Sequence, residues 1–70
     1  MKTKNRIPRV FNRIVGKVLI DTSCDKAGDT LHVFKNDIGY LVLNKRTGRY
    51  AYAHGSMLRD ANIFELVEID

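Results

Sequence analysis

The residue types best suited to chemistry lie in the middle of the chain, where cationic and aromatic side chains are interleaved over residues 45–54. Arginine and lysine neutralise phosphates, and tyrosine and histidine rings stack on unpaired bases, so this composition is typical of a surface that binds single-stranded nucleic acid. If the stretch forms a strand, its alternate residues share one face and its aromatic residues form a row. The residues of this candidate site are Lys45, Arg46, Arg49, Tyr50, Tyr52 and His54, with Tyr40 on the preceding predicted strand.

The tyrosines also admit a structural interpretation. A tyrosine ring often packs in a core while its hydroxyl group stays at the rim. Strand alternation places Tyr50 and Tyr52 on one face but does not say which face is covered. The sequence therefore leaves two alternatives open, a binding surface or a packed face beneath the amino-terminal segment.

The amino terminus is the second candidate for binding. The first 17 residues carry six positive and no negative charges, whereas residues 18–70 carry six positive and eight negative charges, so the net charge of +4 divides into +6 and −2. Such a segment attracts phosphates or an acidic protein surface, unless it is only a solvated tail. About five phosphate contacts would give a logarithmic salt slope of about −4 to −5. The proposed contact residues are Lys2, Lys4, Arg6, Arg9 and Arg13.

Other kinds of site are not predicted. Cys24, His32 and His54 lack the paired spacing of a metal site, and Cys24 lies in an acidic loop unsuited to a nucleophile. No glycine-rich phosphate loop is present, and a chain of 70 residues leaves little room for a catalytic cleft. We therefore expect a protein without catalytic activity, cofactor or metal.

The single cysteine and the short apolar runs bear on location. One cysteine cannot form an internal disulfide, which favours a reducing compartment. The longest apolar runs are a few residues, far below the roughly 20 needed to cross a bilayer. The sequence predicts a cytoplasmic protein that does not span a membrane.

A series of short strands must position the candidate residues. Turn-forming residues separate β-rich segments, and Gly48 can supply the positive φ of a hairpin connection. Residues 21–29 read as a long loop, and Ser56 is placed to cap a helical turn that ends at Arg59. The predicted strands cover residues 17–21, 30–35, 40–44, 49–54 and 63–69.

The segment before the first strand has two interpretations. Apolar residues at intervals of three and four, with Pro8 in the first turn and Gly16 at the end, favour a short helix over residues 8–15. Alternation beginning at Arg13 favours a strand instead. We expect the helix, or an extended basic segment, over residues 1–16 and one domain over residues 17–70.

Five short strands must curl around a shared core, which predicts a small barrel. The alanines of the fourth strand would let such a barrel close tightly. The predicted core consists of Val18, Ile20, Leu31, Val33, Leu41, Leu43, Ala51, Ala53, Leu58, Phe64 and Val67.

The order of these elements resembles that of small SH3-like β-barrel proteins of bacteriophages over roughly residues 17–70. The segments that carry the likeness are KVLIDTS at 17–23, AGDTLHVF at 27–34, GYLVLN at 39–44 and IFELVE at 63–68. The resemblance implies a mainly β, five-stranded SH3-like barrel that acts on host or viral macromolecules.

Two functions remain as expectations. The first is a small regulatory protein that binds nucleic acid, DNA or RNA, or a nucleoprotein machine through the basic arm and the Tyr/Arg face. The alternative is an inhibitor or modulator that binds a host protein through a barrel edge or the acidic carboxyl-terminal surface.

Overall fold

The chain forms five antiparallel strands in one open sheet and one short helix, in a computed structural model that describes residues 4–37 and 39–70. The strands lie in the order β4-β3-β2-β1-β5, so β4 and β5 are the two edges of the described sheet. The mainly β prediction is confirmed, whereas closure into a barrel is not seen because the edges do not pair. The elements are β1 (Ile14–Val18), β2 (Thr30–Asn36), β3 (Gly39–Asn44), β4 (Tyr50–Ala53), α1 (Gly55–Arg59) and β5 (Phe64–Ile69).

The predicted amino-terminal helix is wrong. Residues 8–13 are irregular and β1 starts at Ile14, three residues before the predicted strand. Val10, a member of the supposed helical stripe, is 87% exposed. Ile14 and Val15, the last residues of the predicted helix region, pair with β2 on one side and β5 on the other, so this part of the chain belongs to the interior of the sheet.

Gly16 is a point of close approach and not the end of a helix. A Cβ atom at this position would collide with the ring of Phe64 and would lie 2.6 Å from the carbonyl oxygen of Glu65. The absent side chain lets the fully buried Phe64 ring pack directly on the backbone of β1.

The core lies on one side of the sheet. The predicted core residues Val18, Leu31, Val33, Leu58 and Phe64 are confirmed as buried, and Ile14 and Val42 join them. Ile20 and Val67 are exposed, since Ile20 lies beyond the end of β1 and Val67 lies at an irregularity of the edge strand β5.

The prediction for β3 has the wrong parity. Val33 of β2 pairs with Val42, which places Val42 on the core side and puts Leu41 and Leu43 on the opposite face, where they are half-buried. Ala51 pairs with Val42 and so shares the core side, but it is exposed. The pairing register, not the apolar content of β3, decides which side chains enter the core.

The amino-terminal segment covers the core side of the sheet. The buried Asn5 amide donates to the carbonyl oxygens of Leu58 at 2.9 Å and Phe64 at 2.5 Å. Farther along, Ile7 and Phe11 pack against the core, and the Phe11 ring stacks on Tyr40 at a centroid distance of 6.2 Å. The segment therefore has fixed contacts at both ends.

The helical turn before β5 is present, but its predicted cap is wrong. α1 starts at Gly55, and the residue at its N-cap is His54, whose side chain makes no capping hydrogen bond. Ser56 lies inside the helix. Within the described residues, no helix is both long enough and apolar enough to cross a membrane.

Candidate functional site

The face of the sheet opposite the core carries the exposed aromatic residues. Register pairs His32 with Leu43 and Leu43 with Tyr50, which makes one row of side chains across β2, β3 and β4. A second row lies beside it, in which Phe34 pairs with Leu41 and Leu41 pairs with Tyr52. We call this surface the outer face, and its residues are His32, Phe34, Leu41, Leu43, Tyr50 and Tyr52.

The two tyrosines of the outer face are open to solvent. Tyr50 is 59% and Tyr52 is 68% exposed, so the interpretation that they pack beneath the amino-terminal segment is wrong. The other members of the outer face are half-buried. Tyr40 does not belong to this surface, because it pairs with Ala53 on the core side and stacks on Phe11. His54 is exposed one residue beyond β4.

Positive charge approaches the outer face beside His32. Burial lowers the pKa of His32 below its usual value, and the charges of Arg13 and Lys45 lower it further, while Glu68 acts in the opposite direction. Arg13 is partly neutralised, since its guanidinium lies 3.1 Å from Asp70 and 3.6 Å from Glu68. Lys45 is exposed, and no described acidic group forms an ion pair with it.

The two arginines of the central cluster have different roles. Arg46 donates through Nε to the buried carboxylate of Asp29 at 2.6 Å, so its guanidinium is occupied by an internal ion pair. Arg49 is exposed, and no ion pair involves it in the part of the chain that the structure describes. The guanidinium of Arg49 is therefore available to a ligand.

A polar network fastens the β1–β2 loop to the end of β3. The Asn44 amide nitrogen donates to Asp25 at 2.7 Å and to Asp29 at 2.9 Å, and its oxygen accepts from the backbone N–H of Arg46 at 2.8 Å. The bond from Arg46 holds the pKa of Asp29 well below its usual range, with further help from the Lys26 N–H and Asn44. The sequence placed Asp25 and Asp29 only in the predicted loop over residues 21–29 and did not indicate this network.

The basic amino-terminal residues are separated from the tyrosines. Lys2 lies outside the described residues, while Lys4, Arg6 and Arg9 are exposed on the segment that covers the core side. Lys4 forms a backbone bridge with Asp60, and the Arg9 carbonyl accepts from Lys35 at 2.6 Å. The sheet thus stands between most of the arm and the outer face.

A groove of about 620 Å³ runs along β4 on the core side. Val42, Ala51 and Ala53 form its apolar floor, and Met57 of α1 lines it as well. The loop residues Ser23–Asp25 line it too, together with Asn44, Thr47, Arg49 and the strand residues Tyr50 and Tyr52. We call it the edge groove. The small side chains of β4 were the only signal for it in the sequence, and the chain segments that surround it are far apart in sequence.

The comparisons with known proteins add no family. Neither a family model, nor a curated protein, nor a solved structure matches this chain. Within residues 4–37 and 39–70, no group of three or more His, Cys, Asp or Glu side chains is arranged to hold a metal ion. The resemblance to phage SH3-like proteins stays a prediction.

Proposed function

We propose that the protein is a non-catalytic binding module that binds single-stranded nucleic acid on its outer face. The observation that carries this proposal is the pair of exposed tyrosines, Tyr50 and Tyr52, on a half-buried apolar background. Base stacking on an exposed aromatic ring is worth about 1–3 kcal/mol and tolerates any sequence. The proposal includes an SH3-like arrangement of the sheet, which is supported by the long β1–β2 loop, the consecutive antiparallel strands β2, β3 and β4, and the helical turn before β5. A phage-type cytoplasmic regulator is proposed from the resemblance alone.

The spacing of the tyrosines suits two successive bases. Residues two apart on a strand lie about 6.6 Å from each other along it, and both side chains point the same way. Leu41 and Leu43 lie directly beside them and give each base an apolar surface to cover. The outer face then supplies stacking without a requirement for a particular base.

Phosphate contacts at this face are fewer than the sequence alone suggests. Lys45 is exposed near the tyrosines, whereas Arg46 is held by Asp29. Arg49 lies on the side of Ala51, which is the core side. One phosphate contact to a single strand gives a logarithmic salt slope of about −0.7. A slope of about −4 would instead require the basic arm, which packs on the other side of the sheet.

The test is binding of a fluorescent single-stranded oligonucleotide, followed by anisotropy, to Tyr50→Ala and Tyr52→Ala proteins. Loss of one stacked base weakens binding by about 5- to 150-fold. Tyr50→Phe and Tyr52→Phe are matched controls that keep the rings and should retain affinity. Wild-type affinity in the double alanine variant, with folding intact by circular dichroism, would refute the proposal.

The acidic carboxyl-terminal surface offers weaker support for the alternative of a host-protein modulator. Glu68 and Asp70 share the guanidinium of Arg13, which neutralises part of their charge. The edge of the sheet beside β4 suits a protein partner better than the carboxyl-terminal surface does.

A further inference from the structure

The backbone of β4 presents hydrogen-bonding groups that no other strand of the described sheet uses. The Asn44 N–H donates to the Arg49 carbonyl at 3.0 Å, which makes these residues a hydrogen-bonded pair across β3 and β4. Such pairs alternate along an antiparallel ladder, so Ala51 also directs its N–H and C=O toward β3. Tyr50 and Tyr52 belong to the other class, and their N–H and C=O groups point away from the sheet.

The edge groove lies where a strand added at β4 would place alternate side chains. A residue opposite Ala51 or Ala53 points to the core side, which is the groove side, whereas a residue opposite Tyr52 points to the outer face. The two alanines leave the groove unfilled, and its floor is completed by Val42 and Met57. Apolar side chains of an added strand therefore fit this space.

A positive charge, that of Arg49, lies at the end of the groove near the β3–β4 turn. Arg49 lines the groove and shares the side of Ala51, two residues away on the chain. It has no ion pair within the described residues, whereas Asp25 across the groove already accepts from Asn44. An acidic side chain opposite Arg49 would complement this charge.

We propose that β4 accepts an extended segment of a partner protein as an added antiparallel strand. The segment places apolar side chains opposite Ala53 and Ala51 in the edge groove and an acidic side chain opposite Arg49, two residues after the one opposite Ala51. Four backbone hydrogen bonds, made by the outward groups of Tyr50 and Tyr52, hold it in register.

A second copy of the chain suits this edge less well. Pairing of β4 with itself would offer only alanines to a groove that alanines already leave empty. The other edge strand, β5, has a register irregularity opposite Val15 and Gly16, a feature that discourages further pairing. A peptide with larger apolar side chains matches the groove, which neither edge of a second copy does.

The experiment is a titration of the isotope-labelled protein with a capped peptide of alternating valine and threonine. The valines occupy the groove positions, and a glutamate stands two residues after the second valine. We expect the amide protons of Tyr50 and Tyr52 to shift saturably and to become protected from exchange with solvent. A peptide with lysine in place of the glutamate should bind roughly tenfold more weakly, because it faces Arg49.

Matched variants separate the backbone from the side chain. Tyr52→Ala and Tyr52→Pro both lack the ring, but only proline also lacks the outward N–H, and an outward N–H at an edge is where a strand tolerates proline. Tyr52→Pro should bind the peptide roughly tenfold more weakly than Tyr52→Ala. Both should lose oligonucleotide affinity equally, so failure of the edge proposal is distinct from failure of the outer-face proposal.

A second pair tests the groove without altering the backbone. Ala51→Leu fills the floor and should weaken peptide binding by roughly tenfold relative to Ala51→Ser, which keeps the size. Equal affinities within both pairs of variants would overturn the proposal. It would also be overturned if an oligonucleotide protected the same two amides, or if they were protected without peptide in a dimer that Tyr52→Pro dissociates.

Discussion

On one face of the sheet Leu31 and Val33 of β2 are fully buried. On the other face Phe34 of β2 and its partner Leu41 of β3 are only half-buried. Both faces are apolar, so apolar content does not decide which one is covered. The difference is the cover on the core side, which consists of α1, through the fully buried Leu58, and of the amino-terminal segment, which Asn5 fastens through two carbonyl oxygens. The stability of the fold should therefore depend on the core side, and base stacking should depend on the more exposed outer face.

The largest expected effect comes from the core side. Phe64→Ala removes a fully buried ring that packs on Gly16, and such a change costs about 3–5 kcal/mol. In so small a domain this loss should leave little folded protein. Urea denaturation followed by circular dichroism checks it. A wild-type midpoint would mean that the core does not lie where the structure places it.

A smaller loss is expected when the cover is detached. Asn5→Ala leaves the carbonyls of Leu58 and Phe64 without their donor, at a cost of about 1–3 kcal/mol. Amide exchange at position 5, whose N–H donates to the Arg59 carbonyl oxygen at 2.7 Å, should become faster, because the segment loses its side-chain anchor. Asn12→Ala, at an exposed position on the same segment, is the control and should keep the wild-type exchange rates.

The polar network should make stability depend on acid. Because the pKa of Asp29 is lower in the folded chain than its ordinary value of 3.8, its contribution is present above that value and is lost as pH falls below it. Asp29→Asn should therefore be less stable than the wild type at neutral pH. The difference should shrink in strongly acidic solution. Thermal melts over this pH range measure it, and a difference independent of pH would contradict the assignment.

The smallest stability effect is expected on the outer face. Tyr52 is 68% exposed, so Tyr52→Ala should change the free energy of unfolding by no more than about 0.5 kcal/mol. The same denaturation experiment measures this change. A loss comparable to that of Phe64→Ala would show that the outer face is covered in solution and would contradict the difference in burial between the two faces.

The sequence predicted the parts of the fold that depend on neighbouring residues. The β2–β3 and β3–β4 hairpins were placed correctly because their turns carry local signals, such as Gly48 with a φ of +72°. Which candidate residues within 45–54 serve the structure and which are available to a ligand depends on tertiary contacts alone. The sequence does not distinguish Arg46 from Arg49. In the structure Arg46 alone of the two binds Asp29, a residue of the β1–β2 loop.

By itself, the sequence determined that this is a mainly β chain, where most of its strands and turns lie, and that Tyr50 and Tyr52 share one face. Backbone preferences and alternation between adjacent residues are enough for these features. Only the tertiary structure decided the parity of β3, the irregular form of residues 8–13 and the exposure of the tyrosines. These depend on pairing and cover between distant segments, such as Val33 with Val42 and Asn5 with Phe64. A local pattern carries no information about which distant segment will arrive there.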